Sequence, residues 1–409
     1  ISGLTIGNKY KLSAVAKRGT CVEPVEIEIA GISSTVNANK NNTTEFKNIF
    51  YEFTASSTTH TIQAKIDDGA STVGETAFFK SVSLIEITDD TNLPRIDYTG
   101  GEGHWLFEPQ STNLLTYSED FSSWNRSGTI TQTDNYGISP EGKRNSTRLQ
   151  LSNNAIIYRE LIPPYDGVRS LYVKATSGSG TIQLLSHNTN TDNIFTIDEN
   201  WQRVELSDVQ LVNQNFYLVD TRGGSNTTIF DIEVWGAQYE ALSYATSYIP
   251  TNGSQITRLA DAAFGAGSSD LINSTEGVLY AEIAALANDG TIREIALSDG
   301  TNENRVELRF TNNSNEIQVV VRAINGAVQH ARQTSAYTIT SFNKIAFKYK
   351  LNDFAFWING VEVATGAGGN TFSSNTLTEL AFDDGNGNNN FYGKTKCVAV
   401  FKEALTDDE

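Results

Sequence analysis

Asp231, Glu233 and Trp235 stand at alternate positions of one segment, and together they are the residue types best suited to handling a sugar. At a period of two all three fall on one face of a strand. There the carboxylates would accept hydrogen bonds from hydroxyls and the indole would offer a flat apolar surface to a pyranose ring. The same segment also reads as plain structure: Phe230, Ile232 and Val234 turn to a core while the other face is merely solvated, or Trp235 is itself buried at a contact between modules. Hydrolysis stays open too, because a glycosidase needs only two Asp or Glu side chains about 5 to 10 Å apart, and sequence gives no distance. Trp124, Tyr172, Trp201 and Trp357 pose the same choice between stacking platform and packing. Trp357 alternates with Phe356 and so faces away from Phe354, Phe356 and Ile358, which makes it the better exposed candidate in its region. The expected glycan-binding residues are therefore Trp235, Asp231, Glu233, Trp357, Trp124 and Tyr172, with no residue assigned to catalysis.

Other chemistry finds less support. The four histidines, His60, His104, His187 and His330, show no metal-ligand spacing and read as surface or strand residues. No Gly-x-Ser-x-Gly elbow is present and Cys21 has no nucleophile signature around it, which disfavours acyl-enzyme chemistry. The glycine clusters Gly100 to Gly103, Gly366 to Gly369 and Gly385 to Gly387 join no strand to a helix, so none cradles a phosphate. The run Asp383-Asp384-Gly385-Asn386-Gly387-Asn388-Asn389-Asn390 is dense in oxygen atoms, and calcium takes about six to eight of them from flexible loops. It lacks the spacing of the helix-loop-helix calcium motif. It reads either as a flexible polar turn or as a rim calcium site on Asp383, Asp384 and Asn386, and no other cofactor is expected.

The elements that would position these residues are strands. Period-two alternation dominates, and no stretch carries apolar residues at helical spacing. Tyr10, Leu12, Ala14 and Ala16 share a face, and the texture recurs through Glu26 to Ile29, Ile49 to Phe53, His60 to Ile66 and Phe78 to Ile87. The alternation breaks between Asp89 and Thr112, around Pro94, Gly100 to Gly103 and Pro109, and again from Thr251, where Gly, Ala and Ser abound. The chain accordingly divides into a module over 1–90, a connector over 91–112, a second module over 113–250, a connector over 251–272 and a third module over 273–409. The second module repeats the order of elements in the first, whose counterpart to Asn113 through Glu160 is lacking, so the first module is expected to be incomplete at its N-terminus. In the third, Asn325-Gly326 and Asn359-Gly360 predict two-residue hairpin loops with positive φ at both positions. Leu405 to Glu409 reads as the start of a cap or short helix.

Composition bounds the partners. With 30 basic against 48 acidic residues among 409, the net charge of −18 is scattered along the chain, which argues against nucleic acid and anionic membranes and leaves neutral partners such as glycans. Hydrophobic residues make up 39%, with 20 Phe, 16 Tyr and 5 Trp, enough to pack several cores. Cys21 and Cys397 lie near opposite ends and read as buried small hydrophobes rather than a disulfide. No apolar run reaches the roughly 20 residues of a membrane helix, so no insertion is expected. Methionine is absent even at position 1, which points to a processed piece of something longer.

A more specific signal lies in the wording of Leu93-Pro94-Arg95-Ile96-Asp97-Tyr98, Glu108-Pro109-Gln110-Ser111-Thr112-Asn113-Leu114-Leu115, Tyr117-Ser118-Glu119-Asp120-Phe121-Ser122-Ser123-Trp124, Trp235-Gly236-Ala237-Gln238-Tyr239-Glu240 and Ala245-Thr246-Ser247-Tyr248-Ile249-Pro250-Thr251. These stretches, between 91 and 262, resemble a family of bacteriophage tail-fibre and related virion proteins. The resemblance implies a jelly roll of the carbohydrate-binding type. The third module resembles laminin-G-like or concanavalin A-like sandwiches through Ala355-Phe356-Trp357-Ile358-Asn359-Gly360 and the ending from Phe391 to Glu409, an architecture that hosts lectins, enzymes and scaffolds alike.

The fold expected is all-β, tandem antiparallel β-sandwiches: two jelly rolls followed by a laminin-G-like or concanavalin A-like sandwich. The function expected is that of a non-catalytic tail-fibre or virion adhesion protein, on the virion tail and extracellular, binding host surface polysaccharide or glycan. The resemblance implies other virion proteins as partners and a homo-oligomer such as a trimer. Two alternatives stand beside it: a structural virion protein whose sandwiches are spacers or protein contacts, and the non-catalytic glycan-binding region of a secreted bacterial polysaccharide-degrading enzyme.

Overall fold

The computed structural model describes residues 1–32, 38–67, 74–87, 94–99, 101–160, 167–184, 193–208, 215–222, 225–263 and 266–406, and the chain divides into two units, Ile1–Asp90 and Thr91–Glu409. The fold is all-β. Among the described residues every ladder is antiparallel, and the one helical piece is a 3-10 turn at Phe121–Ser123. His187 lies outside the described residues, as do Asp407 to Glu409 of the cap or short helix expected over Leu405 to Glu409, whose Leu405 and Thr406 carry no regular structure.

The first unit is built from β1 (Lys9–Arg18), β2 (Val25–Ile29), β3 (Ala38–Asn39), β4 (Lys47–Thr54), β5 (Ile62–Ile66) and β6 (Ala77–Ile87). They form a sheet in the order β3-β4-β1-β6 and a β2-β5 pair. Alternation in β1 does the work expected of it: Tyr10, Leu12, Ala14 and Ala16 are at most 4% exposed and share a core with Val25, Ile27, Ile49 and Phe53.

In the second unit the chain runs through β7 (Arg95–Asp97), β8 (His104–Leu106) and β9 (Ser111–Asn113) into β10 (Asn125–Ser127), β11 (Ile130–Thr133), β12 (Thr147–Leu151), β13 (Ile156–Glu160), β14 (Gly167–Ala175), β15 (Gly180–Gln183), β16 (Ile194–Ile197), β17 (Gln202–Asp208), β18 (Asn215–Asp220), β19 (Asp231–Glu240) and β20 (Ile256–Arg258). A sheet β11-β12-β19-β14-β17 and a sheet β10-β13-β18 enclose a core that includes Leu149, Leu171, Val173, Ile232 and Val234. The relation to the first unit is geometric as well as verbal. β14 lies between β17 and β19 as β1 lies between β4 and β6, and both ladders carry a bulge, after Ser13 and after Ser170. The bulged strands reach positive φ at Ser81 (53°) and Gly236 (65°), the turn of backbone that aims the next residues back into register.

The last sandwich comprises β21 (Glu276–Ala285), β22 (Arg293–Ser298), β23 (Arg305–Phe310), β24 (Ile317–Ala323), β25 (Ala327–Thr334), β26 (Asn343–Lys350), β27 (Asp353–Ile358), β28 (Val361–Gly366), β29 (Glu379–Ala381) and β30 (Gly393–Phe401). A seven-stranded sheet, β28-β27-β26-β21-β30-β8-β7, faces a five-stranded one, β25-β24-β23-β22-β29. Between them lie Phe310, Phe347, Phe354 and Phe356, each at most 1% exposed. Asn359 and Gly360 form the expected two-residue loop, with φ of 53° and 81°. Asn325-Gly326 does not: Ile324 joins them with φ of 56°, giving three residues between the paired Ala323 and Ala327, and the ladder behind slips by one between Val321 and Arg322.

The segments expected as connectors are built into this unit. β7 and β8 extend the last sheet beyond β30, with Leu106 opposite Lys394 and Trp105 opposite Thr395. Phe107 enters the core and stacks on Phe382, ring centroids 4.7 Å apart. β9 pairs with β20, setting Ser111 opposite Arg258. Around them lies a buried polar cluster. The Ser247 N–H and Oγ–H donate to Glu108 at 2.7 and 2.5 Å, the Glu108 N–H donates to Asp261 Oδ2 at 2.8 Å, and Arg258 lies 3.3 Å from Asp261 and 3.6 Å from Glu108. Burial pushes the Asp261 carboxyl up to about 6, outweighing the pull of the Glu108 N–H and of Arg258. A carboxyl whose folded value lies above its unfolded one binds protons more tightly when folded, so its contribution to stability falls as pH rises from about 4 to about 6. Asp261→Asn should flatten that fall relative to the parent protein, measured by denaturant unfolding across the pH series; an unchanged slope would show that Asp261 is not the group responsible.

Candidate functional site

Strand β19 carries the carboxylate pair, and the structure covers the face on which it lies. Asp231, half-buried, is held by Arg148 through two hydrogen bonds, Nε to Oδ1 at 2.8 Å and Nη2 to Oδ2 at 2.5 Å, and the guanidinium holds its carboxyl below the usual range. Glu233 is 4% exposed; the Ser146 hydroxyl donates to it at 2.7 Å and the Lys174 ammonium lies 3.0 Å away. Gly137 packs over it so closely that a Cβ there would come within 2.1 Å of Oε2. An acid, base or nucleophile must touch its substrate, and this packing leaves Glu233 no open side. Asp231 and Glu233 are partners in ion pairs here.

Trp235 is a correction to the sugar-site expectation. It is 4% exposed, with Tyr248 and Tyr172 at ring-centroid distances of 4.5 and 5.4 Å. The segment 244–251 crosses this face of the sheet, so the indole is packing rather than platform. Tyr172 is half-buried, with the Arg203 guanidinium 5.5 Å from its ring centre. Trp124 lies in the core, 4% exposed, between Phe121 and Phe216, with its indole N–H donating to the Tyr117 carbonyl at 3.0 Å. Neither Trp124 nor Trp235 has a face to offer a ligand.

Trp357 is placed differently. In β27 its neighbours Phe356 and Ile358 point into the core at 0% exposed, while Trp357 lies half-buried on the outer face of the seven-stranded sheet. The register sets Trp357 opposite Ala346, Ala346 opposite Tyr280 and Tyr280 opposite Ala399. Two aromatic side chains with Ala346 between them leave a trough, the floor of a cleft of about 510 Å³. Lys344 and Lys348 stand beside Trp357 on the same face, and Phe401, Leu405 and Thr406 line the cleft as well. Lys348 is engaged with Asp353 at 3.2 Å. The arrangement offers an apolar floor for a ring face and ammonium and hydroxyl groups at its margin, which suits a polyhydroxylated ligand. Of these residues the sequence pointed to Trp357. Ala346 could have been found by counting back from the Leu351-Asn352 turn, whereas Tyr280 arrives from a strand more than 60 residues earlier.

The acidic loop does not fit a calcium ion. Asp384 is 6% exposed; its Oδ1 accepts the N–H groups of Asn386 and Asn388 at 2.9 and 3.0 Å, and its Oδ2 lies 3.2 Å from Arg305 Nη1. Asp383 accepts the Gly385 N–H at 2.6 Å. The Asn386 backbone is thus a donor in the turn, and a guanidinium already sits against the carboxylate a cation would need. Among the described residues no group of three or more His, Cys, Asp or Glu is spaced to hold a metal. Cys21 is buried, but Cys397 is exposed, contrary to expectation, because it falls on the outward face of β30. His104 and His330 are strand residues, both buried, and His330 stacks on Phe354 at 4.4 Å.

Residues 275–409 match the model of the concanavalin A-like lectin/glucanases superfamily, so the chain ends in a concanavalin A-like domain. Among solved structures it is similar to the CBM40 of Ruminococcus gnavus IT-sialidase bound to α2,3-sialyllactose, at 16% identity, covering 35% of this chain and 80% of that one with a TM-score of 0.29. It is similar also to sheep galectin-11 in complex with glycerol, at 9% identity, covering 34% and 100% with a TM-score of 0.25. Domains LG4-5 of the mouse laminin α1 chain share 10% identity over 68% of this chain and 95% of that one, with a TM-score of 0.24. No curated protein matches the sequence.

Proposed function

We propose that this chain is a non-catalytic adhesion protein of the virion tail, acting outside the cell by binding host surface glycans through the cleft over Trp357. The observation that carries the reading is the partly accessible indole on the floor of an open cleft, in the part of the chain that matches a superfamily of lectins and glucanases. A pyranose laid on Trp357 would bring its hydroxyls toward Lys344 and Thr406, with Tyr280 extending the apolar floor. The resemblance of residues 91–262 to tail-fibre and related virion proteins supports the setting. A single shallow cleft binds weakly, and a homo-oligomer, a trimer by the same resemblance, would raise apparent affinity by presenting several copies at once.

Two substitutions separate a binding indole from a structural one. Trp357→Ala should leave the circular dichroism spectrum unchanged and weaken binding on a glycan array by about tenfold or more, as truncation of a stacking anchor does. Trp235→Ala should lower stability by about 3–5 kcal/mol through the cavity it opens, visible as a lower thermal midpoint, with binding by the folded fraction unaffected. Absence of binding to every host polysaccharide tested would turn the assignment toward a spacer or protein-contact role.

A further inference from the structure

A second cleft, of about 650 Å³, opens in the middle sandwich where the loop after β9, the β11–β12 connection and the segment 250–252 meet. Its wall carries Glu119, Asp120 and Asp134 together with Asn145 and Thr251, and among the described residues no lysine or arginine lines it. Two oxygens of the residues lining this wall are buried with no hydrogen-bond partner among the described residues, Thr251 Oγ1 and Asn145 Oδ1. Thr251 is only 6% exposed, and its backbone is fully engaged: its N–H donates to Ser118 Oγ at 2.8 Å and its carbonyl accepts from Ser118. The Asn145 amide donates to Glu119 at 3.1 Å and Glu141 at 2.9 Å, leaving its carbonyl oxygen unmet. A buried polar atom left unpaired has lost its water with no protein partner in exchange, and two on one cleft wall are more than closing a loop requires.

We propose that this cleft is a second saccharide site, distinct from the one over Trp357, which takes neutral or amino-bearing sugars and reads them through hydrogen bonds rather than stacking. Asn145 Oδ1 and the carboxylates accept hydrogen bonds, and the Thr251 hydroxyl can accept as well as donate, so a ligand rich in donors, as hydroxyl and ammonium groups are, meets them best. Hydrogen bonds from Ser122 and Ser123 keep the Asp120 carboxyl below its ordinary range and therefore ionised. Three carboxylates on a wall with no lysine or arginine among its described residues repel uronates, sialic acids and phosphates. Glu119 accepts from Tyr248 and Asn145 and Asp120 from Ser122 and Ser123, which leaves each carboxylate further acceptor capacity, and no metal-spaced acidic cluster occurs among the described residues. Pro250 and Ile256 supply a small apolar patch for the C–H side of a sugar ring.

The test uses the full chain carrying Trp357→Ala, so that failure at the first cleft does not read as failure here. Neutral manno-, gluco- and galacto-oligosaccharides, chitosan oligomers and polygalacturonate are titrated calorimetrically. The expected result is saturable binding of a neutral or amino sugar, weakened about tenfold by Thr251→Val and by Asp134→Asn, with polygalacturonate unbound. Thr251→Val should also keep or raise the thermal midpoint without ligand, since it removes an unpaired hydroxyl from a near-isosteric side chain. Binding that ignores both substitutions, preference for polygalacturonate, or no binding of any sugar would overturn the proposal. So would a calcium-dependent rise in thermal midpoint that Asp134→Asn abolishes.

Discussion

A strand covered on both faces has no water to satisfy the polar groups on its outer side, so each must find a partner inside the protein. β19 is such a strand, and the second unit is arranged around the answer. Gln238 and Glu240 are both 0% exposed. Glu240 receives Ser111 Oγ at 2.6 Å, Gln238 Nε2 at 2.6 Å and the Thr246 N–H at 2.9 Å, while Gln238 Oε1 receives the Ile249 N–H at 2.6 Å. Asn113, also 0% exposed, uses its whole amide: it donates to the carbonyls of Ala237 and Ile249 and accepts from the N–H groups of Leu115 and Tyr239. Removing any one member would leave another buried and unpaired, which is why three segments far apart in sequence hold a single arrangement.

Ser111 to Asn113, Tyr117 to Trp124, Trp235 to Glu240 and Thr246 to Thr251 satisfy one another across β19. Trp235 belongs to this scaffold, which is why an indole that looked suited to stacking on a sugar is buried.

Strand texture was legible because alternation depends on nearest neighbours: Phe354, Phe356 and Ile358 inward and Trp357 outward follow from the period alone. The Asn359-Gly360 loop was legible because its geometry is local. What escaped were features set by pairing at long range. The outer face of β19 looked solvent-facing until the segment 244–251 was placed over it. Residues 91–112 looked like a linker because strands of three residues are too short to show a period, although β7 and β8 complete a sheet. Asp384 looked like a calcium ligand because Arg305, which claims it, comes from a strand some 80 residues away. The two clefts share this property: each is lined from several segments that no spacing rule connects.

The pairing of β8 with β30 carries a consequence for how the chain is made. Leu106 emerges from the ribosome well before Lys394, its opposite number, and the whole middle sandwich lies between them. That sandwich can close on its own strands while the sheet to which β7, β8 and Phe107 belong does not yet exist. Until β30 is synthesised, β8 waits as an open edge and Phe107 as an unburied ring, and the loop to be closed is nearly as long as the unit itself. The last sandwich is therefore finished by the last strand, and a chain halted short of Gly393 would keep both the edge and the ring available to neighbouring nascent chains.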